Sequence, residues 1–230
     1  MKPTLPPQSS TKLCTVVPCH NEAATCADFL ETLKGYVDHI VTIDDGSTDH
    51  THEILSSTGT HTIKHEKNLG KGWALLAGFR TALADPDVEA ILTIDADMQH
   101  DPAEIKNLLR EMPADLIIGH RRTSKIRERP LRRKFSNFAA NTMLSLKCGL
   151  RVTDSQSGFR IYSRRFAQYL LDHSVGGRFE WETRVLITAA HRGFSISFTP
   201  ISMSYPKHGR SSFRAIRDAA RIARTIILPL

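Results

Sequence analysis

With 230 residues, 40% of them hydrophobic, the chain can bury one substantial core and is expected to form one domain. No apolar run approaches the 18 or so residues of a membrane-spanning helix, so the sequence excludes a bilayer-spanning chain. The formal net charge is +7, and one window carries all of it: Arg121, Arg122, Lys125, Arg127, Arg129, Arg132, Arg133 and Lys134 stand against Glu128 alone.

That window has no aromatic residue before Phe135 on which bases could stack, so phosphate or an anionic membrane surface suits it better than nucleic acid. The four cysteines, Cys14, Cys19, Cys26 and Cys148, show neither C-x-x-C spacing nor a small secreted framework. They read as reduced structural thiols in a cytosolic setting. The 11 histidines are scattered, and no zinc site is expected.

Residues 1–12 are rich in Pro, Ser and Thr without an apolar h-region, and are expected to form a flexible tail, neither signal nor anchor. From Leu13 onward short apolar strands alternate with helical segments, the signature of βαβ units and a mostly parallel sheet flanked by helices. Strand Leu13–Val17 runs into Pro18-Cys19-His20-Asn21-Glu22, where Asn21 signals the start of helix Ala23–Tyr36 and a carboxylate can accept from ribose hydroxyls. Strand His39–Ile43 opens into Asp44-Asp45-Gly46-Ser47-Thr48-Asp49. Capping of helix Thr51–Ser57 accounts for Asp49 but not for Asp44 and Asp45, which can accept from a base N–H or a ribose.

After strand Thr62–His65, the loop Asn68-Leu69-Gly70-Lys71-Gly72 opens helix Gly72–Ala84. Its glycines allow close backbone approach to a ligand, and Lys71 can meet phosphate. The spacing is not that of a Walker A loop, and G-x-G-x-x-G is absent, which disfavours a dinucleotide fold. The next strand, Ile91–Ile94, emerges into Asp95-Ala96-Asp97-Met98-Gln99-His100-Asp101-Pro102. Two carboxylates at the carboxyl end of a strand suit a divalent cation carrying a diphosphate; the bland alternative is an acidic loop capping helix Pro102–Glu111. Strand Leu116–Ile118 leads into the basic window. Beyond it come helices Leu131–Leu146 and Trp181–Ala190 and strand Ser195–Thr199. Phe213–Ile227 then forms an amphipathic helix with Arg214, Arg217, Arg221 and Arg224 opposite Ile216, Ala219, Ala223 and Ile226. That helix can pack on the domain or lie on a membrane surface.

Taken in order, Pro18-x-x-Asn21-Glu22, the Asp44 to Asp49 run, the Asn68 to Gly72 loop and Asp95-Ala96-Asp97-x-Gln99 resemble the inverting family 2 glycosyltransferases of GT-A fold. The resemblance is nearest to the dolichol-phosphate mannose and glucose synthase branch. It extends through Gly119-His120-Arg121, Asp154-Ser155-Gln156-Ser157-Gly158-Phe159-Arg160, Phe179-Glu180-Trp181-Glu182 and His191-Arg192-Gly193-Phe194, covering about Leu13 to Phe213. His20 stands where this branch often has tyrosine, and Lys207 to Ser212 lacks the usual Ser-Lys.

The resemblance implies a GT-A α/β domain that transfers a hexose, with inversion, from a GDP-mannose or UDP-glucose type donor to a polyprenyl phosphate at the cytoplasmic membrane face. Pro18, Asn21, Glu22, Asp44, Asp45, Ser47, Gly70, Lys71, Asp95 and Ala96 would contact the nucleotide-sugar. Asp95, Asp97 and Gln99 would surround Mg²⁺ or Mn²⁺ on the diphosphate. Arg121, Arg132, Arg133, Arg160, Glu182 and Lys207 would face the acceptor, with Arg121, Arg132 and Arg133 clamping its phosphate. Were the acceptor a saccharide or lipid hydroxyl, Asp154 or Glu182 would be the base. Trp73 and Trp181 are expected to pack at helix–sheet contacts, Trp181 alternatively lining the acceptor cleft, and His191 to be structural. A nucleotidyltransferase is disfavoured because no Gly-rich loop follows the first strand, and a non-catalytic nucleotide-sugar binder because the metal motif is intact.

Overall fold

The structure, a computed structural model, describes residues 12–121, 131–174, 176–178, 180–203 and 215–227. The expected tail up to residue 11, residues 122–130 of the basic window, Phe179 and Lys207 lie outside them, as do the side chains of Arg121, Arg132 and Arg133.

The chain begins β1 (Leu13–Cys19), α1 (Cys26–Leu33), β2 (His39–Asp44), α2 (Thr51–Ser57), β3 (His61–Lys64), α3 (Lys71–Leu83) and β4 (Ala90–Thr93). A 3₁₀ turn (Pro102–Glu104) then enters α4 (Ile105–Leu109), followed by β5 (Leu116–Arg121) and α5 (Leu131–Cys148). The remainder is β6 (Arg160–Ser163), α6 (Arg164–His173), α7 (Trp181–His191), β7 (Ile196–Ile201) and α8 (Ala215–Ile227). Seven strands form one sheet in the order β3-β2-β1-β4-β6-β5-β7, with β6 antiparallel to both neighbours and the other pairs parallel.

Strand periodicity explains the layers. In β4, Ile91 faces one side, packing with Leu75, Phe79 and Phe166 of α3 and α6; Ala90 and Leu92 face the other, with Phe29, Leu30 and Leu108 of α1 and α4. Both faces of the sheet are therefore covered, and strands buried on both sides read as continuous apolar runs. Helix Pro102–Glu111 resolves into the 3₁₀ turn and the short α4, with Asp101 accepting from the Ala103 N–H at 2.9 Å and Pro102 in the first position. Helix α1 is shorter than expected at both ends. In α8, Ile222 and Ile226 are buried while Arg221, Ala223 and Arg224 are exposed, so the helix packs on the body of the protein with Arg221 and Arg224 outward. Lys147 of α5 closes its last turn by donating to the carbonyls of Thr225 and Ile226 at 3.3 and 2.7 Å.

The sequence reading missed β6 and α6. β6 is four residues long and paired on both edges; its insertion between β4 and β5 depends on partners about 45 and 70 residues away, which no local period reports. Asp115 ties this insertion together. It accepts from the hydroxyls of Ser163 (2.8 Å) and Ser195 (2.9 Å), the Ser195 N–H (3.0 Å) and Arg165 (2.5 Å). Burial pushes its carboxyl up, but Arg165, Ser195 and Ser163 outweigh burial and hold it at about 2 against an ordinary 3.8.

Asp115→Asn should therefore lower unfolding stability by about 2 kcal/mol, since an amide turns donors toward donors. In the wild type this contribution is complete above pH 3.8 and lost as pH falls toward about 2. Chemical denaturation of both proteins at pH 7 and near pH 2 checks it: the difference should shrink at the acid end.

Candidate active site

Parallel register carries three polar loops to one edge of the sheet. Pro18 lies opposite Ile43 and Cys19 opposite Asp44, while β4, paired to β1, ends just before Ile94 and Asp95. Carboxyl ends of parallel strands are where open α/β sheets take ligands.

Side chains lock these loops to one another. Asn21, expected to start α1, instead adopts a left-handed backbone (φ 58°), which asparagine tolerates. It bridges to the second loop: its N–H donates to Ser47 Oγ (3.0 Å), and its Oδ1 accepts from the Thr48 N–H (2.8 Å). The Glu22 N–H donates to Thr51 Oγ1 (2.9 Å), and Asp49 accepts from both the Thr51 N–H (3.0 Å) and the Ala23 N–H (3.3 Å). Asp49 bonds the first N–H of α2, but His50 stands at the cap position itself, without a side-chain cap bond, and Asn21 is no cap either, because α1 starts at Cys26 with no side-chain cap.

Asp44 and Asp45 are both buried, and their carboxylates hold the loops around them. Asp44 Oδ1 accepts from the Ser47 N–H at 2.9 Å, while its Oδ2 accepts no hydrogen bond. Asp45 accepts from His65 Nδ1 (2.8 Å) and from the N–H groups of Leu69 (3.0 Å) and Gly70 (2.8 Å), clamping the glycine-rich loop onto the end of β2. Gly70 itself has φ 106°, and a Cβ there would sit 2.8 Å from the Gly177 carbonyl, so only glycine fits without strain.

Asp95 and Asp97 occupy the expected strand-end loop. Asp97 accepts from the Gln99 N–H (3.0 Å) and from the Gln99 side-chain amide (2.7 Å). Burial and then the charge of Asp95 push its carboxyl to about 6. Glu22 lies within electrostatic reach of both; burial and these carboxylates raise it to about 7, against the opposing hydrogen bond from Thr25. Among the described residues no three or more His, Cys, Asp or Glu side chains are grouped to hold a metal ion, so the protein's own offer here is two carboxylates and an amide. His61 and His65 are four residues apart, but they lie on and beside a strand, and His65 is bound to Asp45.

Lys71, expected to reach toward phosphate, is held between two carboxylates. Its Nζ lies 2.6 Å from Asp95 Oδ1 and 2.8 Å from Glu182 Oε1. Burial alone would pull this ammonium down; Asp95 and Glu182 overturn that and raise it above its ordinary value. Asp95 in turn is pushed up by burial but held low by Lys71 and His100. Gly158 and His100 stand in the motifs quoted above, but neither was given a role from sequence. A Cβ on Gly158 would stand 2.3 Å from Asp95 Oδ2 and 2.6 Å from Lys71 Nζ, so the loop before β6 presses directly on this pair.

The remaining acceptor-side expectations divide. Glu182 joins the site through Lys71. Asp154 is buried and accepts from the Gln156 N–H (3.2 Å) in a tight turn. Arg160 is a correction: it is fully buried and donates to the carbonyls of Ser157 (2.7 Å), Glu182 (3.0 Å) and Ser155 (2.8 Å), so it stitches the 155–160 loop to α7 and presents no cation to an acceptor. Trp181 is buried against Phe79 and Tyr162, whereas Trp73 is 44% exposed at the start of α3. His191 bonds the Lys147 carbonyl at 3.0 Å, a structural contact. Arg121 ends β5 opposite Ile201. Arg132 and Arg133 stand in the first turn of α5.

Comparison with known proteins agrees with this geometry. Residues 14–171 match the model of glycosyl transferase family 2. An uncharacterized protein of Methanocaldococcus jannaschii is 34% identical over 85% of this chain and 83% of its own length. The UDP-N-acetylglucosamine–dolichyl-phosphate N-acetylglucosaminyltransferase of Methanococcus voltae is 27% identical over 84% of this chain and 86% of its own. Among solved structures, glucosyl-3-phosphoglycerate synthase from Mycobacterium tuberculosis, in complex with Mn²⁺, UDP and phosphoglyceric acid, superposes with a TM-score of 0.73 at 19% identity, covering 94% of this chain and 78% of that one. With its strand-end carboxylates, its mostly parallel sheet and this match, the chain belongs to glycosyl transferase family 2: it is a glycosyltransferase of GT-A fold.

Proposed function

We propose that this glycosyltransferase moves a hexose, with inversion, from a nucleotide-sugar of the GDP-mannose or UDP-glucose type to a polyprenyl phosphate, working as one catalytic domain peripherally at the inner face of the cytoplasmic membrane. The observation that carries the choice of acceptor is the state of the two candidate bases. Glu182 is buried and ion-paired to Lys71, and Asp154 is buried in a turn. A hydroxyl acceptor needs a base to take its proton; a phosphate arrives as an anion and needs none. The name of the Methanococcus voltae relative, a dolichyl-phosphate transferase, supports the same choice.

In this reading the loop of Pro18, Asn21, Glu22 and Ser47, floored by Asp44 and Asp45, receives the nucleoside, with Gly70 and Ala96 lining the diphosphate. Asp95, Asp97 and Gln99 would hold Mg²⁺ or Mn²⁺. Their hard oxygens suit either ion, and with so few protein ligands the remaining positions would be left to phosphate oxygens and water. When bound, the cation would stabilise charge on the departing diphosphate. The structural neighbour's complex with Mn²⁺ and UDP supports this assignment. Arg121, Arg132, Arg133 and Lys207 are the cations available to orient the acceptor phosphate, and at a carboxylate- or phosphate-binding fork arginine binds in two-point fashion. Among the described residues no helix is long and apolar enough to cross a membrane, so attachment would run through surface contacts.

Labelled sugar from a panel of GDP- and UDP-sugars should enter a lipid phase containing polyprenyl phosphate, and chelation should abolish the transfer. Cation-dependent donor binding with no lipid label, and label instead on a saccharide or phosphoglycerate hydroxyl, would replace the acceptor assignment. Asp97→Asn should reduce transfer more than about 100-fold with an unchanged melting temperature, because it removes a ligand on a partly exposed loop. Near-normal turnover by the folded variant would remove Asp97 from the metal site. Arg121→Ala should slow transfer to a phosphate acceptor far more than hydrolysis of the donor. Equal losses in the two assays would place Arg121 on the donor side.

A further inference from the structure

The position of Lys71 is electrostatically odd. It is the first residue of α3, where the helix dipole disfavours a cation, and it is largely withdrawn from water. Two carboxylates compensate: Asp95 Oδ1 at 2.6 Å and Glu182 Oε1 at 2.8 Å. One of these, Asp95, belongs to the pair assigned above to the divalent cation, so its Oδ1 already has a positive partner. Its other oxygen is confined by the backbone of Gly158, where even a Cβ would sit 2.3 Å away. Glu182, by contrast, keeps an unused atom: Oε2 is buried and accepts no hydrogen bond. An ammonium has three N–H donors, and two of them reach these carboxylates.

We propose that Lys71 is a resident counter-cation of the metal site. It neutralises Asp95 when no donor is bound, and it shifts its hydrogen bonds to Glu182 and the incoming diphosphate when the divalent cation takes Asp95. Lys71 and Glu182 are thus positioning residues, and this inference rests on the metal assignment to Asp95 and Asp97. The consequence is an order of loading. A bare cation must displace Lys71 from Asp95 with nothing to rehouse the ammonium except Glu182. A nucleoside diphosphate brings both further ligands for the metal and further anionic oxygens for Lys71. Cation and nucleotide therefore bind cooperatively, and by linkage each tightens the other equally.

Titration of Mn²⁺, with free ion followed by electron paramagnetic resonance, tests this with and without GDP or UDP. In the wild type, bare Mn²⁺ should bind weakly and tighten about tenfold or more when the matching nucleoside diphosphate is present. Lys71→Met should bind bare Mn²⁺ at least about fivefold more tightly, and nucleotide should tighten it less than in the wild type. Because that variant leaves Asp95 and Glu182 buried without their cation, the charge-balanced Lys71→Met with Glu182→Gln is measured alongside, both checked by thermal unfolding. Glu182→Gln alone should weaken Mn²⁺ binding in the presence of nucleotide. A folded double variant whose bare Mn²⁺ affinity does not rise, with the nucleotide effect intact, overturns the counter-cation role. Absence of Mn²⁺ binding by the wild type, even with GDP and UDP, overturns instead the metal assignment on which the role rests.

Discussion

Carboxylates brought together at one end of a sheet repel one another, and the arrangement persists only if something positive stands among them. Here Glu22, Asp95, Asp97 and Glu182 come from loops and helices as far apart as residues 22 and 182, and Lys71 sits between Asp95 and Glu182. The charge of the site is thus shared unequally. Asp95 is kept ionised beside its lysine, while Asp97 and Glu22, without such a partner, are pushed to about 6 and 7.

Much of the polar sequence around this site frames it without facing a ligand. Asp45 spends its oxygens on two backbone N–H groups and a histidine, Asn21 and Ser47 cross-link two loops, and Arg160 is consumed by three carbonyls. Loops at strand ends carry many unpaired backbone groups, and a burial-compatible way to satisfy them is a side chain from a neighbouring loop. The rigidity so obtained is what lets a cleft hold the reacting groups in a narrow range of positions.

The antiparallel β6 does a related job on the other side of Asp95. By running back between β4 and β5 it delivers the 153–159 loop, and Gly158 in particular, against Asp95. The same insertion starts α6 and, through Asp115, pins the junction to β5 and to the start of β7. The loop before β6 and the loop after β4 are therefore carried by neighbouring strands of one continuous sheet.

What the amino-acid sequence determined by itself was local. The alternation of apolar strands and helices from Leu13 to Leu83, the helix starts after Asp49 and Asp101, and the strand-end placement of Asp95 and Asp97 follow from periodicity, turn residues and caps, which act over a few residues. Tertiary structure alone decided which of the polar residues would remain available. Lys71 and Glu182 are 111 positions apart, and Asp45 meets the Gly70 N–H across 25; a carboxylate's partner depends on where the sheet brings distant loops, and no spacing along the chain encodes that distance. β6 and the burial of Arg160 were hidden for the same reason: a four-residue strand owes its existence to partners on both edges, and a buried guanidinium to carbonyls supplied by other segments.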